Sequence, residues 1–212
     1  MKLVGQYDSV FTRRVAVTLH HYHLPFNRDE RSVFGNAAAI QKISPLTRIP
    51  ALVLEDGEVL IESTAIIDYL DERVGPARAL VPPHGAERRR ILQATALAHG
   101  TAEKAGAVVY ERSFHSARCV SKDWEARCLG QARDGLKELE HRCGSPWFFD
   151  TQMSHADIMT ACLVSYLRLR LPEVFPDGKY PKLHALAFHC EARPEFVAAR
   201  AAPHETMPAA KG

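Results

Sequence analysis

The sequence predicts a small mixed α/β domain followed by a larger all-helical one. Three observations carry this. Strand and helix patterns alternate over the first 75 residues; a stretch with three prolines and two glycines runs from Gly75 to Gly85; beyond it strand signals nearly vanish. The expected division is an α/β domain over residues 1–75, a linker over 76–85 and a helical domain over 86–212.

In the first domain, KLVGQY reads as a strand and Val10 to Leu24 as a helix with Val15, Val17 and Leu19 on its apolar face. Pro25 opens an extended piece, and Asn36 to Ile43 is a weaker helical segment. ALVL and EVLI flank Asp56-Gly57, a two-residue hairpin signal. Ile66, Ile67 and Leu70 then lie at helical spacing, and Gly75-Pro76 stops that helix. The order is β-α-β-α-β-β-α: a parallel start closed by an antiparallel hairpin, hence a small mixed sheet with helices on its faces. Ala86 to Ser116, Lys122 to Cys143, Ala156 to Arg170 and Leu183 to Ala192 read as helices, and Ala202 to Gly212 as a loose tail.

Composition narrows the function classes. The 212 residues are 46% apolar and 25% charged, as in an ordinary globular protein. A formal net charge of +2 gives no electrostatic case for nucleic acid, and the run Arg88 to Arg90 reads as a solvated helix face. No apolar stretch approaches the roughly 20 residues of a membrane helix. The first residues lack the apolar core of a secretory signal, so the expected compartment is the cytoplasm. Five cysteines, an odd number with no CxxC pair, suit reduced thiols. The first 118 residues hold none, so chemistry in the N-terminal domain must proceed without a protein thiol.

Three local features are candidates for a site. YDSVFTRR, Tyr7 to Arg14, places polar groups where a strand hands over to a helix, with Ser9 suited to the N-cap. Ile49-Pro50 precedes the ALVL strand. A trans bond there is an ordinary strand start, whereas a cis bond would turn the Ile49 backbone outward for an extended peptide to pair with. Glu62-Ser63 lies before TAIIDYL; Ser63 would serve as N-cap, or helix N-terminus and Glu62 together would hold the carboxylate and ammonium of an α-amino acid end.

The pattern of these motifs resembles the cytosolic glutathione transferases, of the serine type found in the plant tau class and several bacterial groups. SVFTRRVAV is similar to a Ser-Pro-Phe-x-x-Arg start, SPLTRIPAL (Ser44 to Leu52) to NPL-x-x-VP, and ESTAIIDYLDE from Glu62 to the E-S-x-A-I-x-x-Y-L signature. SPWFFDTQMSHADI resembles the family's helical-domain stretch. The resemblance implies a thioredoxin-like first domain, a cis-proline at Pro50, and glutathione as co-substrate. Ile49 would hold the cysteinyl backbone and Glu62 with Ser63 the γ-glutamyl end, with Arg48 facing the tripeptide. A homodimer is also implied. Ser154 with Asp157 has the form of a capping box, and the family uses it for folding.

An unperturbed thiol near pKa 8.5 is only about 3% ionised at neutral pH. Lowering it by two units requires roughly 2.7 kcal/mol, within reach of a hydroxyl donor beside a helix N-terminus. Ser9 is placed for this, with Phe11 and Arg13-Arg14 following at the family's spacing; Tyr7 is the rival donor. One of the two arginines is expected to add positive potential near the sulfur and the other to lie at the surface. Val10 stands where the family has proline. The expected activity is conjugation of glutathione to a small electrophile, or reduction by it, with the second substrate held by helical residues such as Tyr110, Arg112, Phe114, Tyr166 and Arg168. The alternatives are a non-catalytic interaction module and a glutathione-dependent isomerase or dehalogenase, though the Ser-Ser-Cys motif of the zeta-class isomerases is lacking. No metal is expected: His20, His21 and His23 have no carboxylate or cysteine motif to complete a set.

Overall fold

Short apolar strands at the centre of the sheet, KLV and ALV, build the first unit of the computed structural model, which describes residues 1–149 and 152–205. Its elements are β1 (Lys2–Val4), α1 (Val10–His21), β2 (Asn27–Asp29), α2 (Ala37–Gln41), β3 (Ala51–Val53), β4 (Val59–Ile61) and α3 (Ser63–Val74). The sheet order is β2-β1-β3-β4. β1 pairs with β2 in parallel, Leu3 opposite Arg28, and with β3 antiparallel, Leu3 opposite Leu52. The hairpin closes at Asp56-Gly57, with Leu54 N donating to Glu58 O at 2.8 Å. This is the mixed sheet that the sequence predicts.

α1 packs against α3, and α3 against β3 and β4. Leu3, Leu52, Val15, Leu19, Ile66 and Leu70 are fully buried between them, each contributing about 1.5–3 kcal/mol by leaving water. The linker is anchored rather than slack. Tyr22 at the end of α1 donates to Asp71 (2.5 Å), accepts from Leu80 N (2.7 Å), and receives Arg78 on its carbonyl (2.5 Å).

The second unit begins at His84 and contains α4 (Gly85–Phe114), α5 (Lys122–Arg142), α6 (His155–Arg170) and α7 (Pro181–Glu191). α4 lies against α5 and α6, and α6 against α7. Small residues set the spacing: Ala94, Ala98, Ala102 and Ala105 are buried along α4. A Cβ added to Gly135 of α5 would stand 2.1 Å from Thr101 Oγ1, so only glycine permits that approach. α6 starts with the predicted capping box, Ser154 and Asp157 satisfying each other's backbone. Of the helical residues expected to hold a second substrate, Arg112 is engaged by Glu125 and Glu173, each at 2.7 Å, and Arg168 lies over Phe175. Tyr110 and Phe114 stack on one another, ring centres 5.6 Å apart, and are both exposed.

From Ala192 the chain packs with the first unit. α8 (Pro194–Ala198) and the short 3-10 turn Pro203–Glu205 belong to it. The tail reading is therefore corrected for residues 202–205: Glu205 is fully buried. Residues 206–212 lie outside the described residues. Among the described residues no helix is long and apolar enough to cross a membrane.

Candidate functional site

Gly5, at the exit of β1, sets the spacing of the site. It has φ +138°, and a Cβ there would meet Thr12 Oγ1 at 2.6 Å and Ile49 Cβ at 3.0 Å. Any side chain would push the first turn of α1 away from the Ile49-Pro50 turn. In the sequence its only signal is a glycine directly after a strand.

The Ile49-Pro50 bond is cis. Around it the fold gathers an open pocket of about 350 Å³, part of it shared with solvent, lined by Phe11, Ser44, Leu46, Arg48, Ile49, Pro50, Ile61, Glu62 and Ser63. Six of the sequence-predicted residues thus meet in one place, from three separate segments of the chain. Ser44, Leu46 and Ile61 were not singled out; Ser44 and Leu46 open the SPLTRIP stretch and Ile61 precedes Glu62.

Glu62 rather than Ser63 is the N-cap of α3, and the sequence expectation is corrected here. The Glu62 carboxylate accepts from Thr64 N at 2.9 Å, and its backbone sits at φ +70°, ψ 124°. A non-glycine residue in that region costs of order 1–3 kcal/mol, and such positions cluster at ligand sites. Ser63 is the first residue of α3 and is fully buried. Its hydroxyl donates to Glu62 Oε1 at 3.1 Å and accepts from Arg14 Nη1 at 3.4 Å. A carboxylate, a hydroxyl and a guanidinium therefore lie in series at a helix N-terminus.

Ser9 and Tyr7 differ in setting. Ser9 is half-buried and caps α1, its Oγ accepting from Thr12 N at 3.4 Å. That leaves the hydroxyl proton available for donation. Tyr7 is 3% exposed, and the Arg28 guanidinium lies over its ring, 3.4 Å from the centroid. Burial pushes its phenol above the ordinary value, against the opposing charge of Arg28. Neither residue lines the pocket itself; Ser9 is two residues from Phe11, which does.

Both arginines of the Arg13-Arg14 pair are buried, which corrects the expectation of one at the surface. Arg14 reaches Ser63. Arg13 donates to Ala199 O at 3.0 Å and Phe196 O at 3.4 Å, both on the C-terminal segment. His20 stacks edge-on with Phe26, and His21 meets Glu195 at 3.3 Å. Among the described residues one group, Glu30, His204 and Glu205, has potential ligand atoms within 4.8 Å of one another, and Arg28 is paired with both of its carboxylates. That guanidinium already balances the charge a cation would meet.

A four-stranded mixed sheet with a cis-proline pocket beside a helix N-terminus, followed by a helical unit, defines a thioredoxin-like two-domain class. Comparison with known proteins makes this specific. The family models "Glutathione S-transferase, N-terminal domain" and "Glutathione S-transferase, C-terminal domain" match residues 3–78 and 122–186. The chain is 32% identical over 217 residues to a probable maleylacetoacetate isomerase of Vibrio cholerae, covering 95% of this chain and 94% of that one. It is 29% identical over 170 residues to an uncharacterised GST-like protein of Escherichia coli, covering 80% and 83%. A crystal structure of a glutathione transferase family member from Pseudomonas fluorescens with bound glutathione superposes with a TM-score of 0.85 at 29% identity, covering 95% and 98%. The chain belongs to the glutathione transferase family.

Proposed function

We propose that this protein binds glutathione in the pocket of its first unit, ionises the thiol and conjugates glutathione through its sulfur to a small electrophile, or uses it to reduce one. One observation carries the reading: Arg48, Ile49, Pro50, Glu62 and Ser63 converge on a single pocket with Phe11 of the Ser9 helix. In this reading Glu62 takes the γ-glutamyl ammonium, and Ser63 with the α3 N-terminus takes its carboxylate, Arg14 adding positive charge from behind. The Ile49 backbone pairs with the cysteinyl residue as an added strand would.

Ser9 then donates to the sulfur while its lone pair keeps the cap on Thr12 N. The α1 N-terminus has no acidic residue in its first turn, so its partial positive charge is available to the thiolate. The thiolate attacks the electrophilic carbon, a carbon–sulfur bond forms, and the electron pair of the broken bond departs with the leaving group. Tyr7, sealed under Arg28, supports the turn instead. A homodimer is part of the proposal by analogy with the family.

A second reading is a glutathione-dependent isomerase, favoured by the 32% identity to the Vibrio cholerae protein. Its chemistry would use the same bound thiolate. The turn here reads Ser9-Val10-Phe11, without a cysteine. The test is retention on immobilised glutathione with elution by the free tripeptide. Flow-through of the folded protein overturns both readings, and turnover of a chloronitroarene against a cis-enone acid separates them.

A further inference from the structure

The C-terminal segment runs back along α1 as a strap. At the C-terminal end of α1, His21 Nδ1 lies 3.3 Å from Glu195 Oε1. In its first half, buried Arg13 holds the Phe196 and Ala199 carbonyls and packs over the Phe196 ring, 5.9 Å from its centroid. Beyond the N-terminal end, Glu205 enters the loop that precedes the helix. One carboxylate oxygen accepts from Tyr7 N at 2.7 Å, and the other from Ala202 N at 2.8 Å. Arg28, which covers the Tyr7 ring, is paired with this same carboxylate and with Glu30 at 3.0 Å.

The Tyr7 contact bears on Ser9. Residues Gln6 to Ser9 form a turn closed by Ser9 N donating to Gln6 O at 3.3 Å. The N–H of the second residue of such a turn has no partner within it. That residue is Tyr7, and its N–H is taken by a carboxylate from 198 residues away. A fully buried carboxylate is an expensive way to satisfy one amide, since a neutral carbonyl would serve. What the charge adds is a short, directional clamp tied at the same time to Arg28 and to the strap.

We propose that Glu205 is a positioning residue for the Ser9 loop: reaching in from the C-terminal strap, it fixes the Gln6–Ser9 turn so that the Ser9 hydroxyl meets the sulfur of the ligand. The inference rests on the glutathione reading above. Burial opposes ionisation of Glu205, but hydrogen bonds from Arg28, Ala202 N and Tyr7 N outweigh it and hold the carboxyl below its ordinary value, so the clamp is charged at neutral pH. A role confined to stability would leave the bound thiol unaffected.

The test uses the full chain as wild type, Glu205→Gln and Glu205→Asp. Asp keeps a charge for Arg28 but is one methylene too short to hold Tyr7 N as well; Gln keeps the length and one acceptor for Tyr7 N, while its NH2 gives up the bond from Ala202 N. Glutathione affinity is measured by calorimetry, the bound thiol by ultraviolet titration of the thiolate, and turnover with a chloronitroarene. In Glu205→Asp the thiolate midpoint is expected to rise by about one pH unit and neutral-pH kcat to fall about tenfold, while affinity changes less than about threefold. Glu205→Gln, which can still hold Tyr7 N but loses the charge on Arg28, is expected to recover part of that loss. An unmoved thiolate midpoint in a folded Glu205→Asp protein that binds glutathione overturns the positioning role alone. Equal losses of affinity and kcat in both variants also overturn it, because the whole pocket has then moved. If Glu205→Asp does not fold, Ala202→Pro, which removes the amide holding the other carboxylate oxygen, is expected to move the midpoint in the same direction, and no movement there counts against the proposal. Absence of glutathione binding by the wild type is a different result, and removes the underlying reading with it.

Discussion

Among the described residues two helices are N-capped by a buried or half-buried serine, α1 by Ser9 and α6 by Ser154, and the two starts are chemically different. At α6, Ser154 is followed three residues later by Asp157. That carboxylate accepts from Ser154 N (2.8 Å), Ser154 Oγ (2.7 Å) and Phe148 N (2.6 Å), and Asp157 is fully buried. Burial raises its carboxyl against the lowering effect of those hydrogen bonds. At α1, Ser9 is followed three residues later by Thr12, whose own hydroxyl is buried with no hydrogen-bond partner among the described residues. The first turn of α1 carries no acid, and among the described residues Ser9 accepts one long bond, from Thr12 N at 3.4 Å. An acid at the third position closes a helix start, so α6 is sealed. Its absence leaves the positive end of α1 available, beside the pocket proposed to hold an anion.

Substitutions at the two helix starts should separate their roles. The largest effect is expected from Asp157→Ala, which strands two buried backbone N–H groups at about 1–3 kcal/mol each. A loss of about 3 kcal/mol or more in denaturant-derived stability should leave glutathione affinity nearly unchanged in the folded fraction. A collapse of affinity instead would place α6 in the site. Next is Ser9→Ala. The bound thiol is expected to return toward its free value, a rise of about two pH units worth roughly 2.7 kcal/mol, with stability falling by under about 1 kcal/mol. An unchanged thiolate titration makes Ser9 a cap and nothing more.

Ser154→Ala is the matched control, with the opposite profile: about 1 kcal/mol of stability lost and the thiolate titration unmoved. The smallest effect is expected from Tyr7→Phe, because the phenol is enclosed and its ring contacts survive: under about 0.5 kcal/mol in stability, and no shift of the thiol. If Tyr7→Phe abolishes thiolate formation while Ser9→Ala leaves it intact, the roles of the two residues are exchanged.

Much of the site is legible because its parts are local. A glycine after an aspartate marks the hairpin, a serine three residues before an acid marks the α6 cap, and a proline after Ile49 marks the turn at the pocket. The Glu62-Ser63 pair also sits where the sequence places it, but with the roles reordered. Serine is the better N-cap on general grounds, yet here the Glu62 carboxylate caps and Ser63 becomes the first helical residue between Glu62 and Arg14. Local preference cannot choose between those two arrangements; the partner arriving from α1 does.

The order of elements, the fold class and the short segments that meet at the pocket are thus written locally in the chain. Hydrophobic period, turn residues and caps all act within a few positions of one another. The approach of Thr12 and Ile49 around Gly5, the inward turn of Arg13 to Phe196 and Ala199, and the closure of Glu205 on Tyr7 arise with the packed chain. Those pairings join residues far apart in the chain. Nothing in the local sequence of either partner specifies the other; burial does, because a polar group removed from water must take whichever partner the packed chain brings within reach.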